Sequence, residues 1–189
     1  MIELGDQEGY KRSTDVGKLK EDGSYTELVN DSSRTSSNAW CMSTCMADPV
    51  AQNVVNRIEQ VTKIPQVNSE SLQLLRYEKG QYYRTHHDLI EHQTDRPPGV
   101  RILTFYIYLN GNVDSGLEGG GTNFPELNIT VTPKQGRAAL WSSVMNDYPH
   151  QKDPRTNHAA LPVTKGVKFG ANAWLHQRDY MTPNSRGCT

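Results

Sequence analysis

No stretch of this 189-residue chain approaches the roughly 20 consecutive apolar residues that a membrane-spanning helix needs. Residues 1–25 are polar and charged, without the apolar centre of a secretory signal. An excess of either charge is also missing: 20 Lys and Arg stand against 21 Asp and Glu, a net −1, so there is no electrostatic case for a nucleic-acid partner. Phenylalanine is scarce, three against nine tyrosines, while 15 Gly and 10 Pro favour strands and turns over a helix bundle. Cysteine is scarcer still. Cys41, Cys45 and Cys188 are odd in number and build no four-ligand zinc pattern. Cys41 and Cys45 would bridge only if their Cα atoms came within about 7 Å, and free thiols are the expectation.

The length fits one domain, residues 1–189, with enough material for a core. Residues 1–48 read as loop-rich, with turn signals at Asp22-Gly23-Ser24 and Asn30-Asp31-Ser32-Ser33. Asp48 and Pro49 open one helix, about 49–63, as N-cap and first-turn proline. Val50, Val54, Ile58 and Val61, with Val55, form the stripe expected to pack on a sheet. Strand character follows at 71–78, 101–110, 129–132, 137–142 and 167–176, separated by Pro- and Gly-rich turns. A mainly β fold of the sandwich or jelly-roll type, with a flanking helix, is predicted.

On an extended chain alternate residues share a face, so His86 and Asp88 point one way and His87 the other. An imidazole beside a carboxylate is two-thirds of the facial triad that holds non-haem Fe(II) with positions left open. His158 is the favoured third ligand, because it opens a strand. The rival, His150, sits in the turn-like Tyr148-Pro149-His150. A three-residue hairpin loop at Thr164-Lys165-Gly166 would pair His158 with Asn172 and bring His158 and Lys168 to one face. On that face Lys168, Gly170, Asn172 and Trp174 alternate with Phe169, Ala171, Ala173 and Leu175. Lys168 is then a cation placed to hold an acid.

Four segments carry a resemblance: Leu75-Arg76-Tyr77-Glu78-x-Gly80-Gln81-x-Tyr83-x-x-His86-x-Asp88, Gly119-Gly120-x-Thr122-x-Phe124-Pro125, His158-Ala159-x-x-Pro162-Val163-x-x-Gly166-x-Lys168 and Trp174-Leu175-His176. In this order they resemble the 2-oxoglutarate- and Fe(II)-dependent prolyl 4-hydroxylases of the collagen and plant–algal type. The resemblance implies a double-stranded β-helix that hydroxylates peptidyl proline in proline-rich protein, using O2 and 2-oxoglutarate with ascorbate support and releasing succinate and CO2. It implies Fe(II) ligands His86, Asp88 and His158, cosubstrate contacts from Lys168, Tyr77 and Thr122, and peptide contacts from Arg101, Trp174 and His176. It also implies a setting in the endoplasmic reticulum lumen or secretory pathway, with which the Asn30 and Asn128 sequons agree. Against the family pattern the chain lacks the initial strand and helix and stops before a cysteine-containing tail, and Leu89 and Gly121 replace an aromatic and a glutamate. Three other readings compete: an oxygenase of the same kind with another substrate, a catalytically silent peptide-binding module, and a zinc hydrolase, which would lack an H-E-x-x-H helix.

Overall fold

The computed structural model describes residues 1–14 and 32–188. The Asp22 turn signal, Asn30 and Asp31 lie outside the described residues, while Ser32 and Ser33 do form a turn. In chain order the helices are α1 (Ile2–Glu8), α2 (Ser43–Ala47), α3 (Pro49–Thr62) and α4 (Met181–Ser185). The strands are β1 (Lys11–Arg12), β2 (Ser37–Trp40), β3 (Gln73–Tyr77), β4 (Tyr83–His86), β5 (Arg101–Tyr108), β6 (Glu118–Gly119), β7 (Thr122–Phe124), β8 (Ile129–Val131), β9 (Ala138–Ser142), β10 (His158–Ala160), β11 (Val163–Lys165) and β12 (Lys168–His176).

A six-stranded sheet, β1-β2-β3-β12-β5-β9, faces a four-stranded one, β4-β10-β7-β8, with β11 and β6 as a separate pair. Every pairing is antiparallel. Strand alternation then divides the interior. Ala171, Ala173 and Leu175 of β12 turn outward and pack with Leu74 and Phe105 against Ala51, Val55 and Ile58 of α3. Residues between them on β12, with Leu75, Tyr77, Tyr106, Tyr108 and Trp141, turn into the space between the sheets.

Helix α3 starts where the sequence placed it, and the Asp48 carboxylate accepts the Val50 N–H at 2.8 Å. Such a cap contributes about 1 kcal/mol. The buried stripe differs from expectation: Ala51, Val55 and Ile58 pack inward, while Val50 and Val61 are exposed. Apolar residues flank the helix on two overlapping stripes, and the sheet beneath selects the one with the small Ala51 at its close approach.

Two corrections concern the first 48 residues. They hold α1 and α2 as well as loop, and α2 brings Cys41 and Cys45 to a Cα separation of 5.0 Å, where they form a disulfide. The expectation of free thiols fails for these two, because it assumed loop where the chain coils. Cys188 is free and exposed. Both bridged sulfurs belong to the core under α1 and α3. Closing a loop this short limits the unfolded chain by about 2 kcal/mol. A Cys41→Ala/Cys45→Ala variant is therefore expected to melt about 4–8 °C lower by calorimetry. An unchanged Tm would mean that the bridge adds nothing to stability.

Candidate active site

Strands β4 and β10 pair so that His158 stands directly across from His86, with ring centres 4.3 Å apart. Asp88 follows two residues after His86 and turns toward both rings, His86 Nε2 to Oδ1 at 3.8 Å and His158 Nε2 to Oδ2 at 3.6 Å. One donor atom from each residue falls within 4.8 Å of the others. The Nδ1 atoms face backbone carbonyls, Arg84 O at 2.8 Å for His86 and Thr156 O at 3.0 Å for His158. Each carbonyl fixes the proton on Nδ1 and leaves the Nε2 lone pair aimed at the cluster.

Burial first, and then the neighbouring His158, push the His86 pKa down to about 3, so its ring is neutral at pH 7. Burial works to raise the pKa of Asp88, but His158, His86 and the Thr104 hydroxyl outweigh it and hold the carboxyl at about 2. Thr104, fully buried on β5, donates to Asp88 Oδ2 at 2.6 Å. Two imidazole lone pairs and one anionic oxygen at this spacing fit a divalent transition metal. His87 turns away, as strand parity requires. Its Nε2 reaches Asp153 O and Thr156 Oγ1, and its Nδ1 accepts the Leu89 N–H. It thus ties the Asp88 segment to the one that delivers His158, a role that parity alone does not reveal. His150 is exposed in its turn and outside the cluster.

Lys168 reaches the same cavity by a different route from the expected hairpin. The chain leaves β10 at Pro162, β11 pairs with β6, and β12 enters the opposite sheet between β3 and β5. His158 pairs with His86, and Asn172 with Gln73 and Tyr106. Histidine and lysine therefore face each other across the cavity instead of sharing a strand pair. Gly166 does take the left-handed turn, at φ 74°.

Lys168 is 1 % exposed, and its Nζ lies 4.9, 5.1 and 5.4 Å from the ring centres of Tyr77, Tyr106 and Tyr108. None of the ion pairs among the described residues includes it. Burial alone pulls its pKa down to about 7. Gly120, at φ 68°, presses on the lysine stem, where an added Cβ would sit 3.0 Å from Cδ. Thr122 is buried beside this end, sharing a hydrogen bond with the Tyr108 hydroxyl at 2.6 Å. A buried lysine with no counter-ion among the described residues, in a cage of phenols, is suited to receive a carboxylate.

The cavity, about 410 Å³, runs from Lys168 past the triad to a mouth at Trp174, Arg101 and Trp40. Arg101 lies flat on the Trp174 indole, 3.9 Å from its centre, and is paired through Nε and Nη2 with both Glu70 oxygens. Trp40, partly exposed, stands 6.1 Å from Trp174 on the other side. The expected peptide contact at His176 is not met. Its ring is 1 % exposed, with Nδ1 on Gly99 O and Nε2 on Glu70 Oε1, and it is absent from the cavity wall. It braces Glu70 from behind because the strand turns residue 176 inward below the rim. Glu70 and Trp40 were not anticipated. Neither carries a spacing signal, since each acquires meaning only from a partner more than thirty residues away.

Two facing antiparallel sheets that hold a His-x-Asp…His cluster, with a buried lysine opposite, have the donor set and layout of a non-haem iron site with a place for an acid beside it. The chain belongs to the 2OG-Fe(II) oxygenase superfamily, whose family model matches residues 72–176. Among solved structures it is similar to the viral collagen prolyl hydroxylase of Paramecium Bursaria Chlorella virus-1 in its 2OG complex. That match has 30% identity and a TM-score of 0.61, covering 76% of this chain and 80% of the other. Prolyl 4-hydroxylase subunit alpha-2 of Gallus gallus is 32% identical over 84% of this chain but only 29% of its own length. For Prolyl 4-hydroxylase 1 of Arabidopsis thaliana the values are 32%, 79% and 56%. The chain thus spans under a third of the first of these two curated relatives and just over half of the second.

Proposed function

We propose that this chain hydroxylates peptidyl proline in a proline-rich protein. The observation that carries the reading is one cavity that holds Lys168 and then the triad on the way to an aromatic mouth, in a chain whose relatives are named prolyl hydroxylases. His86, Asp88 and His158 would hold Fe(II). Lys168 would pair with the distal carboxylate of 2-oxoglutarate, with Tyr77 and Thr122 beside it. Fe(II) with 2-oxoglutarate and O2 supplies the oxidising power that inserts oxygen into a C–H bond and releases succinate and CO2, with ascorbate keeping the metal reduced. The chain's own residues orient and exclude. The tyrosine cage covers the lysine, the fixed imidazole tautomers would present their Nε2 lone pairs to the metal, and Thr104 holds the carboxylate.

A proline-rich segment in polyproline II form is stiff, loses little entropy on docking, and stacks on aromatic surface. Trp174 and Trp40 would supply that surface, with Arg101 held flat by Glu70. A secretory compartment suits the Cys41–Cys45 bridge and the exposed Asn128 sequon.

The deciding experiment is mass spectrometry of proline-rich peptides incubated with enzyme, Fe(II), 2-oxoglutarate and ascorbate. A gain of one oxygen on proline is expected, and modification of lysyl peptides alone would sink the proposal. Trp174→Ala is expected to weaken peptide use about tenfold or more, as loss of an aromatic anchor does. Peptide-free 2-oxoglutarate decarboxylation should stay nearly intact. If both rates fall together, Trp174 serves the barrel's packing and not the peptide.

A further inference from the structure

The hydroxyl of Tyr106 is a buried polar group with no assigned task. The residue is 6 % exposed on the cavity wall, and its hydroxyl has no hydrogen-bond partner among the described residues. A buried hydroxyl left unpaired destabilises the protein that carries it, so its retention points to an acceptor brought by a ligand. The surroundings identify which part of the ligand. Tyr106 pairs across β5 and β12 with Asn172, and its phenol reaches over Gly170, where an added Cβ would lie 2.1 Å from the hydroxyl oxygen. The absence of a side chain at residue 170 is what makes room for that oxygen. Gly170 is also the next residue after Lys168 on the inward face of β12, and the lysine Nζ lies 5.1 Å from the Tyr106 ring centre. Tyr108 meets the Tyr106 ring edge-on at 4.9 Å and fixes its tilt. Hydroxyl and ammonium thus enter the same closed end of the cavity. Burial raises the phenol pKa well above 10, so it remains a donor at any working pH.

We infer that Tyr106 is a further cosubstrate-binding residue, its hydroxyl donating to the distal carboxylate that Lys168 pairs with. The inference rests on the 2-oxoglutarate reading above and makes two predictions of opposite sign. Tyr106→Phe deletes an unpaired buried hydroxyl from the free protein, which should melt at a higher temperature. The same change deletes a hydrogen bond to a charged group from the complex, so 2-oxoglutarate should bind roughly tenfold to a hundredfold more weakly. A residue that only filled space would not move the two readouts in opposite directions.

The test is calorimetric titration of the Mn(II)-loaded protein with 2-oxoglutarate and with 2-oxopentanoate, which has the same carbon chain without the distal carboxylate. Wild type, Tyr106→Phe and Lys168→Ala are compared, and each ligand-free protein is melted. The expected pattern is weakened 2-oxoglutarate binding in both variants, unchanged 2-oxopentanoate binding, and a raised melting temperature for Tyr106→Phe. Equal 2-oxoglutarate affinity in wild type and Tyr106→Phe, with loss in Lys168→Ala, overturns this inference alone. So does an equal loss for both ligands in Tyr106→Phe. Failure of the wild type to bind 2-oxoglutarate removes the cosubstrate reading itself, and this inference with it.

Discussion

His86→Ala, Asp88→Ala and His158→Ala are each expected to abolish metal binding and turnover, while His150→Ala keeps both. The three donors come from two paired strands and the turn after one of them, within 4.8 Å of one another, so two remaining ligands cannot close a facial set. Each imidazole is held by a backbone carbonyl on Nδ1, so its Nε2 is the atom left to ligate. Graded losses should surround this total loss. Thr104→Val removes the hydroxyl that fixes Asp88 Oδ2, and about 10–100-fold weaker metal binding is expected, the usual penalty for losing such a support. His87→Ala should fall between that and wild type, since it frees the Asp153–Thr156 segment without removing a ligand. Mn(II) titration alongside succinate release measures both effects. Wild-type turnover in His158→Ala would overturn the triad.

The second large effect concerns Lys168. In Lys168→Ala a carboxylate would enter a buried phenolic cage with its cation missing, which costs about 3–5 kcal/mol, or at least two decades of 2-oxoglutarate affinity. Metal affinity should hardly change. An unaltered 2-oxoglutarate KM would return Lys168 to a structural role. A pH signature accompanies this. The free protein's lysine loses its proton near pH 7 because burial disfavours the charge, and a bound carboxylate restores the preference for it. The groups facing it, Tyr77, Tyr106, Tyr108 and Thr122, carry no charge there. Binding above pH 7 must therefore take up a proton, and affinity should fall as pH rises, approaching about tenfold per pH unit. For the ligand-free fold the sign is reversed. The unfolded lysine keeps its proton to about 10.5 and the folded one only to about 7, so the unfolded state binds more protons between those values. Stability should rise with pH across that window.

Several elements were legible because their signals are local. Asp48 and Pro49 specify a helix start whatever packs on it. The period of two along residues 168–175 separates a cavity face from a helix-covered face, and the structure keeps that division. The same period puts His86 and Asp88 together and sends His87 elsewhere. Other expectations failed where a local rule was asked a non-local question. Parity across a supposed hairpin joined His158 to Asn172, but Pro162 ends one sheet and the chain crosses to the other. The valine stripe of α3 was ambiguous until a sheet lay under it. The cysteine pair was readable only once residues 43–47 were known to coil.

The sequence by itself determined the donor types, the order of the ligands, and the helix and strands that carry them, because each depends on residue chemistry and on periods of two or 3.6. Only the tertiary structure decided that His158 and Lys168 face each other across a cavity and that His176 braces Glu70 instead of meeting a ligand. It alone leaves the Tyr106 hydroxyl unpaired over Gly170. Those outcomes depend on which strands become neighbours when two sheets close on one another, and such pairings join residues up to about a hundred positions apart that no local period connects.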